Sequence, residues 1–122
     1  MSYDRLKNII ASNKISWIAA LENQKAVYLI TDKMNGKHYV GSVTGDNGML
    51  LQRWKNYILN GHGGNKELKE LVKDKGFDYV KTNFQYSILE NYNAKVDSKF
   101  ILERETWWKE TLKTREFGYN AN

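Results

Sequence analysis

The stretch A-V-Y-L-I-T-D-K-M-N-G-K-H-Y-V-G, residues 26–41, predicts a β-hairpin around which the rest of the chain is organised. Two short apolar runs flank the pair Asn35 and Gly36. An Asn-Gly pair supplies the positive φ angles of a two-residue type I′ turn, which matches the twist of the strands on either side. We therefore expect strands over residues 26–31 and 37–43 with this pair at the turn.

The predicted turn also determines which side chains share a face of the hairpin. With the Asn-Gly pair at its centre, Tyr28 lies opposite Val43 and Tyr39 lies opposite Asp32. Cross-strand partners and alternate residues of one strand lie on the same face. The residues expected together are Tyr28, Ile30, Tyr39, Gly41 and Val43. Tyrosines on one face of a hairpin often only cover a core, so the hairpin alone leaves a structural and a functional interpretation open.

Composition restricts the classes of protein to be considered. The 122 residues are 41% hydrophobic and carry a net charge of +5, which fits one domain over 1–122 and suits a polyanionic partner such as nucleic acid. The absence of cysteine excludes disulfides, thiolate catalysis and cysteine metal sites, and fits a reducing, cytoplasmic location. Polar residues interrupt the apolar stretch 9–21, so we expect no membrane partner.

Apolar periodicity predicts a fold of the α+β class. The expected strands are 26–31, 37–43 and 83–90, and the expected helices are 3–12, 17–23, 49–59, 66–75 and 96–113. The first two helices form a helical extension, residues 1–23, that packs on the core.

Three side-chain patterns accompany these elements. Asn13 is a possible stop for the first helix. Ser16 can cap the second, which would bury Trp17, Ile18 and Leu21. In the third strand, Phe84, Tyr86 and Ile88 are expected on one face.

The helix after the hairpin and the loop that follows it carry candidate anion-binding residues. Arg53 and Tyr57 are four residues apart, so their side chains emerge together at the edge of an apolar stripe. They are either a surface pair or a phosphate clamp, since a guanidinium offers donors that match phosphate oxygens. In the loop 61–65, His62 is a second-rank candidate for contact with a phosphate. Asn65 can cap the next helix. A lysine of the hairpin, Lys37, is also a candidate substrate-binding residue.

The last predicted helix places a carboxylate within an apolar stripe. Ile101, Trp108 and Leu112 are expected on one face of this helix. Glu105 lies four residues after Ile101 and is expected on the same face. A buried carboxylate requires a metal, a cation or a raised pKa, and a salt bridge to a nearby lysine or arginine is the simplest solution. Glu103 points about 200° away around the helix and should be solvated.

Several motifs taken together resemble the GIY-YIG nuclease superfamily. V-Y-L-I at 27–30 and Y-V-G at 39–41 resemble its signature, although Ala26 and Val27 replace the usual glycine and isoleucine. The runs N-F-x-x-S-I-L-E at 83–90, E-R-E-T-W-W-K-E at 103–110 and G-Y-N at 118–120 are similar to its third strand, its metal-binding helix and its closing turn. The resemblance covers a core over 26–120. The residues that it places in order are Tyr28, Tyr39, Arg53, Tyr57, Glu105 and Asn120.

The resemblance implies a small three-stranded antiparallel sheet flanked by helices, and an endonuclease that hydrolyses DNA phosphodiesters. It implies a divalent cation, Mg²⁺ or another such as Mn²⁺, on Glu105, which helix geometry favours over Glu103. Arg53 with Tyr57 would bind the phosphate, and Asn120 would hold neighbouring groups in place. One tyrosine would orient or deprotonate water, which requires a lowered phenol pKa.

We favour Tyr28 as the residue that orients or deprotonates the water and Tyr39 as the one that binds the phosphate. The sequence does not show which tyrosine has which role. Two other classes stay open, a catalytically inactive module that binds nucleic acid and a basic structural protein. A restriction, homing or repair role, a homo-oligomer, and a separate or missing DNA-recognition domain are all compatible with the sequence.

Overall fold

The computed structural model describes residues 1–12, 15–46 and 48–122. Asn13, the predicted stop of the first helix, lies outside this part of the chain. The elements in order are α1 Tyr3–Ala11, α2 Ile15–Glu22, β1 Lys25–Asp32, β2 His38–Val43, α3 Leu50–Asn60, α4 Lys66–Lys75, α5 Phe77–Asn83, β3 Phe84–Tyr92, α6 Ser98–Leu112 and α7 Thr114–Phe117.

The three strands form one antiparallel sheet in the order β2-β1-β3, with helices on both faces. One face packs against the helices that precede β3, through Leu6, Trp54 and Leu68 among others. The opposite face packs on α6 through Val27, Val40 and Ile101. This architecture confirms the predicted α+β class with a small three-stranded sheet.

The hairpin has the predicted faces but a different register. Tyr28 lies opposite Gly41, and Ile30 lies opposite Tyr39, so the register differs by two residues from the one predicted. A shift of two residues leaves every side chain on its original face, because the side-chain period of a strand is two. The predicted pairing of Tyr28 with Val43 was wrong, and the shared face was right.

The two-residue type I′ turn was also wrong. That turn requires positive φ at both central residues, but Asn35 does not have it, whereas Gly36 has φ of 76°. The loop is longer because side chains cap its backbone. The Asp32 carboxylate accepts from the Met34 N–H at 3.0 Å, and the Asn35 side chain accepts from the Lys37 N–H at 2.9 Å.

Strand β3 contains a β-bulge that was not predicted. Tyr28 pairs with Ile88 and Val27 pairs with Glu90, so Leu89 is the extra residue between the two pairs. Phe84, Tyr86 and Ile88 pair with alternate residues of β1 and so share one face, as expected; Phe84 and Tyr86 are buried there, whereas Ile88 is 40% exposed. The bulge turns Glu90 towards α6.

Glu90 connects the sheet to α6. Its carboxylate accepts from Arg104 at 2.6–3.1 Å, from the Trp108 indole at 2.7 Å and from the Tyr92 hydroxyl. The Arg104 hydrogen bonds are the main reason that the pKa of Glu90 falls from its ordinary 4.5 to about 2. The carboxylate is therefore charged at neutral pH and fully bonded.

The N-terminal helices pack on the core, α1 against β3, α3 and α5 and α2 against α3, and one side chain differs from the expectation. Tyr3 and Leu6 of α1 are buried, and the Tyr3 hydroxyl donates to the Ile58 carbonyl at 2.6 Å. In α2, Leu21 is buried, but Trp17 is 41% exposed, so its predicted burial was wrong. None of the helices in the described residues is long and apolar enough to cross a membrane.

Helix α5 was missed by the sequence analysis, which assigned no element between Gly76 and the third strand. The helix has only seven residues, too few for a clear apolar period. Val80 is buried in the core, and the Tyr79 hydroxyl donates to Asp32 at 2.7 Å. The helix therefore ties the hairpin loop to the region before β3.

The Glu90 contacts predict a specific pH dependence of stability. Because folding lowers this pKa, the ionised carboxylate stabilises the protein above about pH 4.5, and the benefit is lost as pH falls towards 2. We expect Glu90→Gln to lower the Tm at pH 7 and the difference from wild type to shrink between about pH 4.5 and pH 2. Thermal melts across this range, with Glu103→Gln as the exposed control, measure it. A difference that stays constant with pH would contradict this assignment.

Candidate active site

A cleft of about 370 Å³ opens where β2, α3 and the start of α4 meet the end of the chain. The residues that line it are Tyr39, Arg53, Tyr57, Gly63, Gly64, Asn65, Lys66, Ala121 and Asn122. Two of its side chains are cations, and no acidic side chain belongs to this set. The cleft thus brings together three of the candidate residues, and its charge suits an anion.

Tyr28 lies beneath the cleft and does not line it. Its hydroxyl is 2.6 Å from the Tyr57 hydroxyl, and both residues are only 1% exposed. Tyr57 is therefore more deeply buried than its predicted place at the edge of the α3 stripe. A methyl group at Gly41 would overlap the Tyr28 ring and hydroxyl, so the glycine makes room for this tyrosine.

The phenols of the site are held in their neutral form. Burial is the main cause that raises the pKa of Tyr28, Tyr39 and Tyr57 above the ordinary value of 10. A tyrosine that deprotonates water needs a lowered pKa. Arg53 lowers the pKa of these three phenols, but burial outweighs it, so the protein's own groups leave them neutral.

Arg53 extends from α3 into the phenol cluster. Burial opposes the charge on its guanidinium, but Tyr28, Tyr57 and Tyr39 around it outweigh this effect and raise its pKa. Its Nε is enclosed, and within the described part of the chain it has no hydrogen-bond partner. An enclosed cationic donor without an acceptor is costly unless a ligand supplies one. Arg53 thus has a free donor beside the cleft.

Glu105 lies on α6 near the same phenols. Its side chain is 16% exposed, and its negative charge contributes to the raised pKa values of Tyr28 and Tyr39. Among the described residues its cationic partner is Lys109, whose Nζ is 3.7 Å from Oε1, longer than a direct hydrogen bond. The salt bridge considered from the sequence is therefore present but loose. Glu103 is exposed, as predicted.

Asn120 fixes the strand that carries Tyr39. Its side-chain amide donates to the Val40 carbonyl and accepts from the Val40 N–H, both at 2.9 Å. Its own N–H donates to the Thr114 carbonyl at 3.2 Å. The residue is buried, so these bonds hold β2 against the end of the chain. This is the kind of contact expected for a residue that holds neighbouring groups in place.

Like Tyr28, neither Glu105 nor Asn120 belongs to the cleft lining, and the candidates His62 and Lys37 also lie outside it. His62 is in the loop after α3, where its Nδ1 accepts from the Gly64 N–H at 2.9 Å, and burial lowers its pKa. Lys37 is exposed in the hairpin loop, with its ammonium 5.6 Å from the centre of the Tyr119 ring. Lys66 lines the cleft at the start of α4 and was not predicted as a site residue. Its position directly after the Asn65 cap was the available signal.

The close approach of Gly41 to Tyr28 generates a test of this geometry. Gly41→Ala should reduce the free energy of unfolding by about 2 kcal/mol, because the methyl group overpacks the tyrosine ring. In a Tyr28→Leu background the same change should cost at least about 1 kcal/mol less, since the ring is gone. Denaturant titrations of the four proteins of this cycle measure the coupling. Additive costs would contradict the contact.

Comparison with known proteins identifies the family. A family model described as the GIY-YIG catalytic domain matches residues 24–120. The fold is also similar to a solved structure of the catalytic domain of the homing endonuclease I-TevI, with a TM-score of 0.60 and 27% identity over 80% of this chain and 98% of that one. A mutant of the intron endonuclease I-TevI catalytic domain gives the same TM-score, with 26% identity over 81% of this chain and 94% of that one. The chain therefore belongs to the GIY-YIG catalytic domain family and is an endonuclease.

Proposed function

We propose that this endonuclease hydrolyses phosphodiester bonds of DNA with the help of a divalent cation bound at Glu105. The observation that carries the proposal is the half-buried Arg53 guanidinium, which borders a cleft without acidic side chains and whose Nε lacks an acceptor within the described residues. A phosphate diester supplies the missing acceptor and the opposite charge. The net charge of +5 favours the approach of such a polyanion.

Arg53 is proposed to bind the non-bridging oxygens of the scissile phosphate. Negative charge builds on these oxygens as a nucleophile approaches phosphorus, so a fixed cationic donor stabilises the transition state more than the ground state. Tyr57 supports it electrostatically, and the Tyr57 hydroxyl is already held by Tyr28. Lys66 lies on the same cleft and adds a second positive charge for the DNA backbone.

The environment of Glu105 fits a divalent cation. Its carboxylate is partly shielded from water, lies near the phenols and has only a loose partner in Lys109. No cluster of three acidic or histidine residues occurs in the described residues, so a cation here would keep most of its shell as water and phosphate, as Mg²⁺ prefers. Bound at Glu105, Mg²⁺ or Mn²⁺ would supply charge stabilisation to the leaving 3′ oxygen and the crowded phosphate.

Tyr39 is the tyrosine that we assign to the attacking water, in place of the Tyr28 favoured from the sequence. Tyr39 lines the cleft and Tyr28 does not. Because burial raises the pKa of both, Tyr39 acts as a neutral phenol that orients the water by hydrogen bonding. Tyr28 then supports Tyr57 from beneath, and Asn120 holds the strand segment next to Tyr39 through Val40.

Plasmid cleavage tests the metal-dependent nuclease. Wild type should nick or linearise supercoiled DNA with Mg²⁺ and lose this activity with a chelator. Glu105→Ala should lower the rate at least about a hundredfold, since a metal contributes several kcal/mol of charge stabilisation. Glu103→Ala, an exposed carboxylate two residues away, should retain activity.

Each other outcome of this assay has a definite meaning. Salt-sensitive DNA binding without cleavage by wild type would replace the nuclease proposal with an inactive binding module. Equal losses in Glu105→Ala and Glu103→Ala would contradict the assignment of the metal to Glu105. The ratio of nicked to linear product reports whether one active site or a pair of active sites acts on the duplex.

A pair of isosteric substitutions tests the assignment of the water. Tyr39→Phe should lower the single-turnover rate about a hundredfold, because the water loses its orienting hydroxyl. Tyr28→Phe should lower it less than about tenfold, because it removes one buried hydrogen bond behind the cleft. Circular dichroism and thermal melts confirm that both variants fold. A larger loss of rate in Tyr28→Phe than in Tyr39→Phe would instead assign the orientation of the water to Tyr28.

A further inference from the structure

A buried lysine lies directly beside the proposed metal ligand. Lys109 is only 7% exposed, which is rare for a lysine. Its Nζ is 3.7 Å from Glu105 Oε1 and 3.1 Å from the main-chain oxygen of Asn122. Asn122 lines the cleft, so the ammonium contacts both the carboxylate and a residue of the cleft wall.

The distances show how this ammonium is held. The shorter contact is with the main-chain oxygen of Asn122, and the distance to the Glu105 carboxylate exceeds that of a direct hydrogen bond. A lysine whose purpose was only to neutralise Glu105 would be expected at a distance of about 2.8 Å. The carboxylate thus retains lone pairs for another ligand, while its charge is already balanced in part.

We propose that Lys109 is a built-in counter-ion that competes with the divalent cation for Glu105 and so weakens metal binding. This inference rests on the proposed metal site at Glu105. Two positive charges close to one carboxylate repel each other, so the ammonium lowers the affinity for the cation. When the cation is absent, the same ammonium prevents Glu105 from being an uncompensated charge within the fold.

The competition has two linked consequences. Removing the ammonium strengthens cation binding, because a repulsive charge is gone. It also destabilises the metal-free protein, because Glu105 then lacks its partner, and added metal restores more of the lost stability than it adds to wild type. If Lys109 had only a structural role, its removal would destabilise the metal-free protein but would not strengthen metal binding.

Metal titration separates these cases without any measurement of cleavage. Isothermal titration calorimetry with Mn²⁺ should show Lys109→Met binding about tenfold more tightly than wild type, from the loss of one nearby like charge. Lys109→Gln removes the same charge and keeps a donor for the Asn122 oxygen, so it should show the same gain if Lys109→Met folds poorly. Lys99→Met, an exposed lysine of the same helix, is the matched control and should not change affinity.

Thermal melts with and without Mn²⁺ supply the second readout. Both Lys109 variants should melt below wild type without metal, and their Tm should rise more than that of wild type when Mn²⁺ is added. Unchanged or weaker Mn²⁺ binding by both variants would overturn the role of Lys109 while leaving the metal site intact. Retained Mn²⁺ binding by Glu105→Gln would instead overturn the proposed metal site itself.

Discussion

The buried carboxylate of Asp32 is the constraint on which the hairpin and the cleft depend. It is completely buried and has three donors, the Tyr79 hydroxyl at 2.7 Å, the Tyr119 hydroxyl at 2.6 Å and the Met34 N–H at 3.0 Å. These bonds offset the cost of removing the carboxylate from water. They join the hairpin loop, α5 and the end of the chain. Asn120, which follows Tyr119 in the sequence, then holds β2 beside the cleft.

The residues of the cleft floor belong to the core as much as to the site. Tyr28 and Tyr57 are part of the main apolar cluster, and their hydroxyls meet inside it. This dual role explains why burial raises their pKa values and why neutral phenols surround a charged guanidinium. The cleft is therefore preorganised by packing, which is what transition-state stabilisation by fixed donors requires. It is also vulnerable to any added volume at Gly41.

The sequence predicted the parts of the fold that depend on local periodicity and missed those that depend on distant side chains. The hairpin faces and the α6 stripe follow from periods of two and 3.6 residues. The hairpin loop could not be derived, because the Asp32 carboxylate that shapes it is held by tyrosines 47 and 87 residues away. The bulge at Leu89 could not be predicted from the sequence either, since it depends on the contacts of Glu90 with α6. At the site, the residue types were predictable, whereas the burial of Tyr28 behind Tyr39 was not.

Two carboxylates near α6 show what separates a structural acid from one that is available for a ligand. Glu90 accepts from an arginine fork and an indole at 2.6–3.1 Å, and its pKa falls to about 2, so the protein itself satisfies its charge. Glu105 is comparably shielded, at 16% exposed against 20% for Glu90, but its one cationic partner in the described residues is 3.7 Å away. Burial alone therefore does not distinguish them, and the completeness of the hydrogen bonding does. A ligand for a metal ion must be left incompletely bonded by the fold. Of these two carboxylates, only Glu105 meets that condition, which is the physical reason to place the cation there.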